Sequence, residues 1–238
     1  MTGDAELCII IRITEFILKY ALKKSEAGET VMKTISVQEI TAATRKLCMD
    51  VNYDLPGDVE RALQDGLKQE ESSFGQYCLE QILQNCQMAR EHQQAMCQDT
   101  GIAVVYLEVG QDIHIVGGSL TEAVHEGVRQ GYEDGYLRKS VVAEPLFGRD
   151  NTGDNTPAVI HTEIVPGEQL RIMVVPKGAG SENMGAVKML KPADGLEGAK
   201  KFILDTVRQA GGNPCPPIIV VWVWAAPWKK RLCWLKRR

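Results

Sequence analysis

The sequence predicts an α/β chain of the α+β kind, in which a helical N-terminal third precedes mixed β-sheets flanked by helices. Three features point that way. Apolar residues recur at helical spacing as far as residue 94, and after Gly101 the period falls from 3.6 to 2. Two capping boxes, Ser36-Val-Gln-Glu39 and Ser119-Leu-Thr-Glu122, mark helix starts, one in each regime. The composition is that of a globular chain, with 238 residues, 44% of them apolar and 24% charged. At that length folding buries roughly 70% of the unfolded surface, enough for a core without disulfides or a metal.

Residues 7–24 carry one amphipathic helical pattern, followed by a polar stretch over 25–30. A better-formed start follows Met32, with a capped helix over 36–51, a second helix after Pro56-Gly57-Asp58 and a long third over 73–94. Cys48, Cys78 and Cys86 fall on the apolar stripes of these helices and read as core. Residues 103–109 and 112–116 read as strands joined by a Gly110-Gln111 turn, and a helix opens at Ser119 and runs to about residue 132. Residues 144–157, rich in Gly, Asn, Asp and Pro, form a long loop. A hairpin over 158–165 and 169–175 turns at Pro166-Gly167. The small-residue loop 177–183 opens a short helix, and a longer helix over 194–210 stops at Gly211-Gly212. An apolar strand over 218–221 closes the pattern.

Charge and hydropathy exclude some functions. The balance of 27 basic against 31 acidic residues, net −4, argues against generic nucleic-acid binding. No apolar run approaches the roughly 18 residues of a membrane span. The seven cysteines (8, 48, 78, 86, 97, 215 and 233) include no C-x-x-C pair, which disfavours a zinc ribbon or a redox motif. With no secretory signal, a reducing, cytoplasmic compartment is expected, so these are thiols rather than a disulfide framework.

Cys97 and Cys215 differ from the helix cysteines. Cys97 lies in Met96-Cys-Gln-Asp-Thr-Gly101, at a helix-to-strand junction where a thiolate can reach a metal. Cys215 lies between prolines, which restrict the backbone and suit fixed presentation of a side chain. Gln98 and Asp99 either reach a bound substrate or cap the Thr100-Gly101 turn. Arg138 either grips a carboxylate through its planar fork or decorates a surface turn. Gly180 permits close backbone approach and N–H donation to an anion. His114, His125 and His161 lie on periodic elements and read as structural, and His92 as solvated.

Seven motifs occur in order: Cys97-Gln-Asp-Thr-Gly101, Asp112-Ile-His-Ile-Val-Gly-Gly118, Glu126-Gly-Val-Arg-Gln-Gly-Tyr132, Gly135-Tyr-Leu-Arg-Lys-Ser140, Asn151-Thr-Gly-Asp-Asn-Thr-Pro157, Gly180-Ser-Glu-Asn183 and Cys215-Pro-Pro217. Over about residues 33–221 the chain resembles the α subunit, or N-terminal domain, of class I iron–sulphur fumarate hydratase and L(+)-tartrate dehydratase. The resemblance implies a [4Fe–4S] hydro-lyase in which three cysteine thiolates hold three irons and the fourth iron stays open to substrate. It implies Cys97 and Cys215 as two of the three ligands, with Gln98, Asp99, Arg138 and Gly180 on the substrate side. The third ligand and the catalytic base belong to a segment beyond this chain. The implied partners are a small dicarboxylate, a β subunit or C-terminal domain of the same enzyme, and a homodimeric or heterotetrameric assembly. Fumarate and tartrate are not separated by these motifs. An inactive fragment keeping only subunit contacts, or a non-catalytic iron–sulphur protein, stands as the alternative.

Both ends depart from that pattern. Residues 1–31 read as an extension outside the resemblance, a translated leader or a start-site error. All four tryptophans and six basic residues lie in the last 17 positions, and without those six the chain carries 21 basic against 31 acidic residues. A shifted reading frame entered inside the Trp222 codon can be decoded as Gly-Val-Gly-Gly-Thr-Met-Glu-Lys, the family's expected continuation. Residues 222–238 are therefore expected to be a frameshifted tail, the alternative being a basic-aromatic segment for RNA or membrane. The family-like domain is thus bounded at 32–221.

Overall fold

Ser36 ends a short strand and begins a helix. Its hydroxyl accepts a hydrogen bond from the Glu39 amide, and the Glu39 carboxylate accepts one from the Ser36 amide. This capping box draws the Glu39 carboxyl below its ordinary value, through backbone and then side-chain bonding to Ser36. In the computed structural model, which describes residues 32–214, 218 and 220–222, the elements follow in order. They are β1 (Lys33–Ser36), α1 (Val37–Tyr53), α2 (Gly57–Gln69), α3 (Ser73–His92), β2 (Ile102–Gly110), β3 (Ile113–Val116), α4 (Leu120–Asp134), β4 (Val159–Val165), β5 (Leu170–Lys177), α5 (Ala179–Glu182), a 3₁₀ turn (Pro192–Asp194) and α6 (Gly195–Ala210). The helical first third and the mixed sheets behind it match the α/β expectation. The sequence pattern over 7–24 lies outside the described residues.

α1 and α4 cross at close quarters because α4 presents two glycines a turn apart. A Cβ at Gly127 would lie 2.5 Å from Thr44 Cβ, and one at Gly131 2.7 Å from Cys48 Cβ. The Thr41 hydroxyl donates to the Ala123 carbonyl (3.0 Å), and the Tyr53 hydroxyl to the Gly135 carbonyl (2.9 Å). The core joins this pair (Ile40, Leu47, Val124, Val128) to the inner face of the sheet at Ala103, Val105 and Leu107.

The strand pairing departs from the sequence expectation in three places. β2 does not form a hairpin with β3. β3 pairs in parallel with β1, and β2 is the centre of a separate sheet ordered β4-β2-β5. Nor are β4 and β5 a hairpin, because β2 lies between them, parallel to β4 and antiparallel to β5. The Pro166-Gly167 turn instead passes over the end of β2, where Gly110 N–H donates to Gln169 O (2.8 Å) and Gln111 N–H to Val165 O (2.9 Å). The physical reason is burial: Ala103 through Leu107 are all buried, so β2 needs cover on both faces and a neighbour on each edge. Finally, Ile218, Val220 and Val221 are exposed and form no strand, since no described strand offers them a ladder.

Candidate functional site

Cys97 sits in an irregular segment after α3, exposed to solvent, while Cys48 and Cys86 are buried and Cys78 is half-buried. Burial pushes the Cys48 thiol up to about 12. Burial also raises Cys86, helped by Glu60 and opposed by Arg90. Among the described cysteines, Cys97 is therefore the one placed for thiolate chemistry. Its loop is braced on both sides. Before it, Met96 N–H donates to Asn52 O (2.9 Å) and Met96 O accepts from Asn85 Nδ2 (2.7 Å). After it, Asp99 Oδ1 accepts from Gly101 N (3.0 Å) and Asp99 Oδ2 from Ala179 N (3.2 Å).

Asp99 thus performs the turn-capping role that the sequence left open, and it also reaches across to the 177–183 loop. Gly101, with φ 67°, lies so close to Lys177 that a Cβ there would be 2.6 Å from its carbonyl carbon. Glycine is required at 101 on both counts.

Thr100 is 2% exposed, and its hydroxyl donates to the Arg138 carbonyl at 2.9 Å. The Tyr132 hydroxyl at the end of α4 donates to Thr100 O (2.7 Å). Arg138 itself is exposed on the irregular segment after α4, and its guanidinium has no hydrogen-bond or ion-pair partner among the described residues. Gln98 is likewise exposed. Gly180 lies in the four-residue α5, and the close approach it permits is to the Asn213 carbonyl, which would stand 2.9 Å from a Cβ there. Cys215 lies outside the described residues, but Asn213, two positions earlier, rests against the same α5 whose first amide Asp99 holds.

A third segment, 151–157, closes the arrangement. Asn155 is fully buried: its Oδ1 accepts from Ser140 N (2.7 Å) and Val141 N (3.3 Å), and its Nδ2 donates to Gly101 O (3.2 Å). Beside it, Asp154 is held down at about 2: desolvation, the largest influence, pushes it up, but hydrogen bonds from Thr156 and Arg129 together outweigh it. Sequence reasoning placed Asn155 and Thr100 inside motifs without assigning them roles. Their burial left no signal in the local pattern, because polar residues in such loops are ordinarily solvated. Of the histidines, His92 and His114 are exposed, His125 lies 3.8 Å from Glu122, and His161 stacks on Tyr106 with ring centroids 5.0 Å apart. Among the described residues, no three of His, Cys, Asp and Glu gather as a metal-holding group, and no helix is long and apolar enough to cross a membrane.

A model of the fumarate hydratase (fumerase) family matches residues 41–229, a span that contains all seven ordered motifs. The chain belongs to the fumarate hydratase family. Within that family it is 43% identical over 171 residues to the Methanocaldococcus jannaschii protein named "Putative L(+)-tartrate dehydratase subunit alpha", covering 70% of this chain and 60% of that one. It is 28% identical over 192 residues to the L(+)-tartrate dehydratase subunit alpha of Escherichia coli K12, covering 79% of this chain and 62% of the relative. This member of the fumarate hydratase family thus spans about three fifths of the length of the curated relatives it matches.

Proposed function

We propose that this chain is the α-type part of a [4Fe–4S] hydro-lyase that adds water to, or removes it from, a small dicarboxylate of the fumarate/malate or tartrate/oxaloacetate type. The observation that carries this reading is the exposed Cys97 thiol, on a loop tied by Asp99 to the segment of Gly180 and by Thr100 to the segment of Arg138. Cys97 suits a thiolate ligand because it is solvent-accessible and its loop is held at both ends. Cys215 is proposed as the second ligand on the strength of its Cys215-Pro-Pro217 motif. The third ligand and the base that takes the carbon-bound proton are expected from outside this chain. When bound, such a cluster supplies an open iron that acts as a Lewis acid on the hydroxyl being lost or gained.

The chain's own residues orient the substrate. Arg138, exposed on its loop and unpaired among the described residues, offers two parallel N–H donors to one carboxylate, which a lysine does not. Gln98 offers an amide to the second polar end. Each Asp99 oxygen accepts one backbone N–H and keeps acceptor capacity for a substrate hydroxyl. Gly180 allows the backbone of α5 to approach without a side chain in the way. The relatives' names as alpha subunits support a β subunit, or an equivalent domain, as partner; its completion of the site, and a homodimeric or heterotetrameric assembly, are part of the proposal. A cytoplasmic setting belongs to the same proposal, in keeping with the reading of the cysteines as thiols.

The test is anaerobic reconstitution with iron and sulphide of the chain, its continuation after residue 221 restored to the proposed frame, together with the proposed partner subunit. A cluster with one labile iron and fumarate or tartrate turnover are expected, and Cys97→Ser is expected to abolish cluster assembly while leaving the far-UV circular dichroism unchanged. Retained cluster and turnover in Cys97→Ser would sink the assignment.

A further inference from the structure

We propose that Asn155 is a positioning residue that sets the Arg138 loop against the Cys97 loop, and so fixes where a gripped carboxylate lies relative to the thiol. The inference rests on the roles proposed above for Arg138 and Cys97. Two loops must keep their spacing for those roles to work, and neither belongs to a helix or a strand that would hold it. Asn155 spans them with one planar amide. Its oxygen receives the Ser140 and Val141 amides, two and three residues beyond Arg138, and its nitrogen donates to Gly101, four residues beyond Cys97.

The two ends of that amide are not interchangeable. Two N–H donors face the oxygen and a carbonyl faces the nitrogen, so only an amide satisfies both loops at once. Asn155 is fully buried, where an unmet donor or acceptor is costly, and its φ of 61° is one that asparagine tolerates better than most side chains. The platform is itself anchored, because the neighbouring Asp154 accepts from Arg129 Nε of α4 at 2.9 Å and from both the amide and the hydroxyl of Thr156. Thr100 and Tyr132 also contact this region, but Asn155 reaches both loops from a third segment.

The test uses ¹⁵N-labelled full-length chain carrying Asn155→Asp. Above the midpoint of the introduced carboxylate, its oxygens still accept from Ser140 and Val141 but repel the Gly101 carbonyl; below it, the added proton restores a donor. Burial raises that midpoint above that of Asp154, and the same pH series on the wild-type chain supplies the background. The amide resonances of residues 98–101 and 138–141 are expected to move with one shared midpoint and to return toward wild-type positions on acidification. Fumarate affinity, measured by titration on the same chain, is expected to fall about tenfold above that midpoint and to recover below it. A midpoint confined to 138–141 overturns the proposal, as does unchanged affinity across the step when Arg138→Lys weakens binding. If Arg138→Lys has no effect, or no form binds fumarate, the reading of Arg138 falls, and the shared midpoint alone decides Asn155. Should Asn155→Asp not fold, Asn155→Gly suits the backbone and removes all three bonds. It is expected to speed exchange of the Ser140 and Val141 amides about tenfold and to shift residues 98–101; faster exchange with 98–101 unmoved overturns the proposal.

Discussion

Replacing Thr100 by valine keeps the shape of the side chain and removes the one hydroxyl that meets the Arg138 carbonyl, at 2.9 Å and 2% exposure. No other donor reaches that carbonyl among the described residues, so the substitution leaves a part-buried acceptor without its donor and costs about 1–2 kcal/mol. With a urea slope of roughly 2–3 kcal/mol/M for a domain of this size, a loss of about 2 kcal/mol lowers the unfolding midpoint by about 0.7–1 M. Thr41→Val is the internal reference. Its hydroxyl donates to Ala123 O at 3.0 Å from a half-buried position where water can replace it, so about 0.5 kcal/mol is expected. The assay is urea unfolding followed by far-UV circular dichroism, with equal slopes required in all three proteins. A Thr100→Val midpoint within about 0.1 M of wild type, or no lower than that of Thr41→Val, would refute the idea that this hydroxyl ties the two loops together.

Asp154 titrates at about 2 against an ordinary 3.8, desolvation being outweighed by its bonds from Thr156 and Arg129. A depressed folded-state value means that its stabilisation is complete above about pH 4 and drains as pH falls toward 2. Asp154→Asn is expected to flatten that part of the stability curve in acid denaturation, and a curve running parallel to wild type would contradict the linkage. Gly127→Ala places a Cβ 2.5 Å from Thr44 Cβ and 2.7 Å from Thr41 O. Overpacking of roughly 1–3 kcal/mol is expected to exceed the gain of about 1 kcal/mol in helix propensity. A midpoint at or above wild type would show that α1 and α4 do not approach so closely.

What was legible in the sequence was what short-range chemistry specifies. Ser36 and Glu39, or Ser119 and Glu122, settle a helix start within one turn, and the structure has both starts there. Strand partners are chosen by burial over long separations, and there the sequence misled. The run from Ala103 to Leu107 is buried on both faces, so its period did not reveal that it would be central, and the local turn signal at Pro166-Gly167 says nothing about a third strand lying between its arms. A turn motif limits how the chain reverses; which strands then pair depends on which of them most needs covering.

The same division runs through the candidate site. The exposure of Cys97 and the capping by Asp99 follow from a polar Gln-Asp-Thr-Gly sequence at an element junction, and both were readable. Asn155 was not, because an asparagine in a stretch rich in Gly, Asn and Asp has the composition of any solvated turn. Its burial depends on Gly101 and Ser140, 54 and 15 residues away, arriving on either side of it. Loops that carry reactive side chains cannot draw rigidity from a ladder of their own. Buried amides and hydroxyls at their bases have to supply it, and a one-dimensional pattern hides such groups while a three-dimensional one exposes them. The loop polar residues to examine in related chains are therefore those with no solvent-facing atom, before those that point at the substrate.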